Sequence, residues 1–140
     1  MIEFKNLTKR FPGGKIAVDS LNLTFNDGEF IVFIGTSGSG KTTSMRMINR
    51  MIEPTSGEIL INGKNSKDMN AVELRRQIGY VIQQIGLMPH MTIFDNIVMV
   101  PKLLKWPVEK QRKIAEELIQ KVDLPLDFLE RYPSELSGGQ

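Results

Sequence analysis

Cysteine is absent, which excludes a disulfide framework and any thiolate-ligated metal site. The absence fits a reducing compartment. Histidine occurs once, as His90, so a zinc site would lack its usual ligands. Long apolar runs are missing too. The longest is Phe30 to Ile34, far short of the roughly 20 residues that span a bilayer. The first residues show no basic start followed by an apolar core, so they do not read as a signal peptide. An excess of one charge is lacking as well. The net charge of +2 is too small to indicate nucleic acid or an anionic membrane as partner. What remains is ordinary for a globular chain: 41% hydrophobic and 24% charged residues, without repeats or low-complexity tracts. Its 140 residues correspond to about one domain and can bury about two-thirds of the unfolded surface.

The pattern along the chain is β-rich first and helical later. Ile2, Phe4 and Leu7 begin one strand, and Val18 to Phe25 a second. Asn26-Asp27-Gly28 is a turn signal. Glu29 to Ile34 then reads as a strand buried on both faces, as in a parallel sheet. Thr42 to Met51 predicts a helix, Glu58 to Ile61 a strand, Asn62-Gly63 a hairpin turn and Asn70 to Arg76 a short helix. Ile78 to Ile82 is another β-rich run. Ile93 to Leu104 is apolar and helical, with Pro101 the expected kink or break. Val108 to Val122 is amphipathic, with Pro107 as its expected first residue and Ile114, Leu118, Ile119 and Val122 as its apolar stripe.

Gly35-Thr36-Ser37-Gly38-Ser39-Gly40-Lys41-Thr42 fits G-x-x-x-x-G-K-[ST]. Triphosphate oxygens need several donors converging on a small volume. A glycine-rich loop supplies backbone N–H groups, because missing Cβ atoms let it curl around the anion. The following helix points its positive end at the same place. Lys41 adds a full charge, worth on the order of 5 kcal/mol against one anionic oxygen before desolvation. The Thr42 hydroxyl suits Mg²⁺, which takes hard oxygen ligands. A chance match in a chain this long is about one in 200. The bland alternative, a solvated Gly-Ser turn, does not explain why a strand-like run precedes the motif and a helix follows it. A guanine-reading N-K-x-D is not found. Asn65-Ser66-Lys67-Asp68 has its lysine one position late and reads as a surface loop.

Leu136-Ser137-Gly138-Gly139-Gln140 is decisive for the class, because L-S-G-G-Q is the signature motif of ATP-binding cassette (ABC) ATPases. The chain resembles that family from Phe11 to Gln140. Gln83, after Ile78 to Ile82, falls where the family has its Q-loop glutamine. By itself Phe11 reads equally as a core aromatic or as a platform for adenine; the resemblance favours adenine. An isolated Gln83 would be a solvated loop residue, whereas the resemblance aims its amide at Mg²⁺ or the attacking water. Met45, Met47 and Met51 read as helix packing, and His90 as a loop residue.

The resemblance implies an α/β fold: a P-loop NTPase (RecA-like) core with an antiparallel β subdomain and an α-helical subdomain. The β-rich phosphate-loop part would cover about residues 1–85, and the helical part about 86–140, ending in the signature. It implies ATP and Mg²⁺, bound by Phe11, Gly35, Thr36, Ser37, Gly38, Ser39, Gly40, Lys41, Thr42 and Thr43. Ser137, Gly138, Gly139 and Gln140 would complete the site of a second, head-to-tail subunit. Lys41 and Gln83 would be catalytic, and Thr42 and Gln83 the metal contacts. The loop Ile85-Gly86-Leu87-Met88-Pro89 would meet a membrane permease near Leu87-Met88, or else tuck into the core. A substrate-binding protein would be engaged only indirectly, and the subunit would sit peripherally on the cytoplasmic face of a bacterial plasma membrane.

The segments 11–15, 49–57 and 82–92 most resemble ATPase subunits of osmoprotectant importers for glycine betaine, carnitine or choline. The alternatives are a soluble, non-transport ABC ATPase and a non-catalytic nucleotide-binding fragment. A complete member also needs an apolar strand ending in Asp-Glu, the Walker B element. Thr92 to Asp95 is too polar for it, and Ile52-Glu53-Pro54 lies in a turn. The resemblance places that element after Gln140. The expectation is therefore a chain truncated before the Walker B strand, binding nucleotide without efficient hydrolysis.

Overall fold

The computed structural model describes residues 1–82 and 86–140. Two compact units divide the chain, Met1–Gly79 and Tyr80–Gln140.

The first unit is built on an antiparallel sheet of order β2-β1-β3-β4, with β1 Ile2–Arg10, β2 Ile16–Phe25, β3 Ser56–Ile61 and β4 Lys64–Asn65. Phe4 is opposite Leu23 on one side and Ile59 on the other. Alternation along β1 puts Phe4 on the packed face, and a shift in register returns Leu7 to it. One helix, α1 (Lys41–Ile48), covers this face and adds the fully buried Met47 to Phe4, Leu7, Val18 and Ile59. Burying a side chain of this size contributes about 1.5–3 kcal/mol. The Asn62-Gly63 turn joins β3 to β4 with both residues at positive φ, as a tight hairpin requires. Helix α2 (Ala71–Gln77) starts at Asn70, whose side chain accepts from the N–H groups of Val72 and Glu73.

Neither the expected parallel strand at Glu29 to Ile34 nor the β-rich run at Ile78 to Ile82 is part of a sheet. Residues 29–34 form no ladder, and Phe30 and Ile34 are each 93% exposed. Ile78 to Ile82 is likewise outside the sheet. A strand exists only with a hydrogen-bonded neighbour, and no described residue pairs with these runs. Only Phe33 turns inward, meeting Phe25 edge-on at 6.0 Å.

The second unit is helical: α3 Ile93–Ile97, α4 Met99–Leu103 and α5 Val108–Lys121, followed by 3₁₀ turns at Leu126–Glu130 and Pro133–Glu135. Its core is Ile93, Val98, Ala115, Ile119, Phe128 and Leu129. The break between α3 and α4 falls at Val98, not at the expected Pro101. Pro101 is the third residue of α4, in the first turn, where its missing N–H costs no helical bond. Pro107 caps α5 from outside instead of beginning it. The buried row of α5 is Gln111, Ala115 and Ile119, while Leu118 and Val122 are exposed. Gln111 belongs in that row because its amide donates to the Trp106 carbonyl at 2.7 Å.

Candidate functional site

The phosphate loop bends back on itself before it enters α1. The Ser39 N–H donates to the Thr36 carbonyl, and Gly40 caps the helix at φ +91°. A Cβ on Gly40 would lie 2.2 Å from the Ala17 carbonyl oxygen, so only glycine lets α1 begin this close to β2. Gly38, at φ +84°, has open space around it and needs only the left-handed conformation. No side chain caps α1 among the described residues, and its first turn holds no acid. The leading N–H groups are therefore available, and the positive end of the helix is uncompensated.

Lys41 folds over this loop. Its Nζ donates to the carbonyls of Gly35 at 2.7 Å and Thr36 at 2.8 Å, and to Ser39 Oγ at 3.2 Å. A phosphate oxygen would compete for the same protons with the advantage of a full charge. The Thr42 hydroxyl is exposed at the start of α1. Among the described residues no group of three His, Cys, Asp or Glu side chains could hold a metal ion. The donor set thus fits Mg²⁺ only as a companion of phosphate, where Thr42 would give one oxygen and phosphates the others.

The tip of the β1–β2 hairpin reaches the same place. The Phe11 N–H donates to the Lys15 carbonyl and that of Gly14 to the Phe11 carbonyl, which closes the hairpin. Lys9 Nζ lies 5.4 Å from the Phe11 ring centroid. Phe11, Pro12, Lys15 and Ala17 then line a cavity of about 270 Å³ together with Gly38 to Thr43. The fold thus brings Gly38 to Thr43, more than twenty residues away in sequence, to the same cavity as the Phe11 ring, so that an aromatic, backbone donors and a cation share one lining. Gly35, Thr36 and Ser37 belong to the loop but not to the cavity lining. The lining also includes Lys15, which the sequence reading did not single out; a basic residue in a hairpin tip carries no motif by itself.

Gln83 lies outside the described residues, as does Ile85 of the apolar loop. The signature stands in the second unit. Leu136 packs on its core, while Ser137, Gly138, Gly139 and Gln140 are exposed. The Gln140 N–H donates to the Ser137 carbonyl at 3.0 Å, and the Gln140 side chain accepts from the Ser137 N–H at 2.9 Å. These residues, with Tyr80 to Ile82, Gly86, Leu87 and Pro133, border a separate cavity of about 500 Å³. Leu87 and Met88 are exposed, and Asn96 holds their loop by accepting from the Met88 N–H at 2.7 Å.

The sequence matches the family described as ABC transporter over residues 18–140. This chain belongs to the ABC transporter family. It is 63% identical over its full length to the carnitine transport ATP-binding protein OpuCA of Listeria monocytogenes (strain 10403S), and covers 35% of that protein. It is 59% identical to the glycine betaine/carnitine/choline transport ATP-binding protein OpuCA of Bacillus subtilis (strain 168), again over the whole chain and 37% of the relative. The chain therefore spans about a third of the length of these curated relatives. Among solved structures, the dimeric ATP-binding cassette MJ0796 bound to ADP and Pi matches with a TM-score of 0.86 at 36% identity, over all of this chain and 65% of that one. The mixed α/β architecture is that of an ABC ATPase cassette.

Proposed function

We propose that this chain is the phosphate-loop and signature-bearing part of an ATPase subunit that powers import of quaternary-amine osmoprotectants such as glycine betaine, carnitine or choline. The observation that carries the nucleotide reading is the cavity where Phe11 faces the start of α1. The ring offers a π face to adenine. The N–H groups from Gly38 to Thr43 and the Lys41 ammonium hold the phosphates. Mg²⁺, when bound with the nucleotide, would neutralise phosphate charge, with Thr42 and Gln83 as its protein contacts. Gln83 would also orient the attacking water. Ser137, Gly138, Gly139 and Gln140 form an exposed segment that would meet the phosphates of a second subunit in a head-to-tail dimer, where phosphate oxygens would compete for the N–H groups of Ser137 and Gln140; the dimeric MJ0796 cassette supports this reading. Leu87 and Met88 offer an adaptable apolar contact to a membrane permease. Such a subunit works peripherally on the cytoplasmic side of the membrane. No helix among the described residues is long and apolar enough to cross one.

The solute class rests on the relatives' names, since no residue of this subunit touches the solute. The test is reconstitution with the permease in vesicles. Glycine betaine, carnitine or choline uptake should require ATP and vanish in Lys41→Ala. Uptake that persists without Lys41, or a permease carrying none of these solutes, refutes the proposal. Residues 1–140 alone should bind ATP and release phosphate far more slowly than a full-length relative; equal turnover would contradict that part.

A further inference from the structure

The rear end of α1 is held by a pair of interlocking arginines that no nucleotide-binding motif includes. Helix α1 ends at Ile48, and the next carbonyls, of Asn49 and Arg50, leave the helix without helical partners. Arg75, on α2, supplies them. Its Nε donates to the Asn49 carbonyl at 3.1 Å and its Nη2 to the Arg50 carbonyl at 2.6 Å. Arg50, at φ +55°, reaches the other way. Its Nη1 donates to the carbonyls of Ser66 at 3.1 Å and Met69 at 2.8 Å, in the segment that leads into α2, and its Nε pairs with Glu53 at 2.9 Å. Each arginine thus grips the backbone of the segment that bears the other. The positions are well anchored: Asn49 is 2% exposed, and Leu74, beside Arg75, is 1% exposed. A guanidinium also suits this place by charge, because it faces the negative end of α1. A lysine could not do the same, since one ammonium lacks the planar fork that serves two carbonyls at once.

The clasp matters because α1 is short. Eight residues make a rod about 12 Å long, with Lys41 and Thr42 at its front end. A tilt at the rear therefore moves the phosphate donors at the front. We propose that Arg75, with Arg50, is a positioning residue for the phosphate loop: it fixes the axis of α1 so that the Gly38–Thr43 donors converge on the β- and γ-phosphates. This rests on the nucleotide reading above. The arginine touches no nucleotide itself, and it should affect phosphate binding more than adenine binding, because Phe11 sits on the β1–β2 hairpin, which neither arginine touches.

The test is equilibrium binding of ATP and AMP to the purified protein carrying Arg75→Ala, well below its unfolding temperature. The expected result is a loss of ATP affinity of about tenfold, equivalent to ~1.4 kcal/mol, with AMP affinity changed less than about twofold. Should Arg75→Ala fail to fold, Arg75→Gln keeps one donor without the charge, and its ATP affinity should still fall severalfold. Unchanged ATP affinity in a folded variant overturns the proposal, as does an equal loss for ATP and AMP, which marks a general structural role. If the unsubstituted protein binds no ATP, the nucleotide reading fails first, and this proposal with it.

Discussion

Gly38 and Gly40 allow the phosphate loop to be tested with one methyl group at a time. Their φ values are +84° and +91°, but they differ in what a side chain would meet: nothing within 4 Å at Gly38, and the Ala17 carbonyl oxygen at 2.2 Å at Gly40. Gly38→Ala should cost only the left-handed conformation, about 1–2 kcal/mol. Gly40→Ala adds overlap with β2, which can be relieved only by moving backbone tied into the sheet. That raises the loss to about 2–5 kcal/mol. The assay is urea denaturation of each variant followed by far-ultraviolet circular dichroism. Trp106 and both tyrosines lie in the other unit, so intrinsic fluorescence would report the wrong one. ATP binding measured in parallel should fall further for Gly40→Ala, because α1 carries the donors away as it shifts. Equal destabilisation by the two substitutions would refute the claim that close approach to Ala17 fixes the start of α1.

Other outcomes follow from single contacts. Phe11→Ala should weaken ATP binding by the ~1–3 kcal/mol of base stacking, while Phe11→Trp retains it; calorimetry reads both. Leu129→Ala should cost about 2–5 kcal/mol in the second unit, seen as a lower urea midpoint by Trp106 fluorescence, since Leu129 is fully buried. Asp95 is held below the ordinary carboxylate range, first by the hydrogen bond from Lys102 and then by that from Thr92, with burial opposing both. A lowered folded-state value means this contribution is full above the unfolded value of about 4 and fades as pH falls through the folded one. Comparing urea midpoints from pH 7 to 3 should show Asp95→Asn losing less stability in acid than the parent; parallel profiles would contradict this.

Much of the chemistry was legible from local pattern. G-x-x-x-x-G-K-T needs a loop followed by a helix, and the structure has both. Asn62-Gly63 and Asn70 act through their own backbone neighbourhood, so the hairpin and the start of α2 were readable too. The failures have a common cause: they depend on something beyond the local sequence. Glu29 to Ile34 has the composition of a buried strand, but strand formation is decided by a neighbour, and none of the described residues is one. Pro101 looked like a breaker because its position relative to the helix start cannot be seen until Val98 is known to separate α3 from α4. The buried row of α5 runs through a glutamine, invisible to an apolar pattern, because the Trp106 carbonyl satisfies it. The Arg50–Arg75 clasp spans 25 residues and has no motif. Phe11 lies between these cases: the ring was recognisable only by resemblance, and the hairpin geometry brings it to the phosphate-loop cavity.

The most direct test of the central claim is calorimetric titration of the protein with ATP in the presence of Mg²⁺, repeated with Lys41→Ala. The account predicts saturable binding of one ATP per chain that Lys41→Ala weakens at least about tenfold. Absence of saturable binding, or binding indifferent to Lys41, would contradict it.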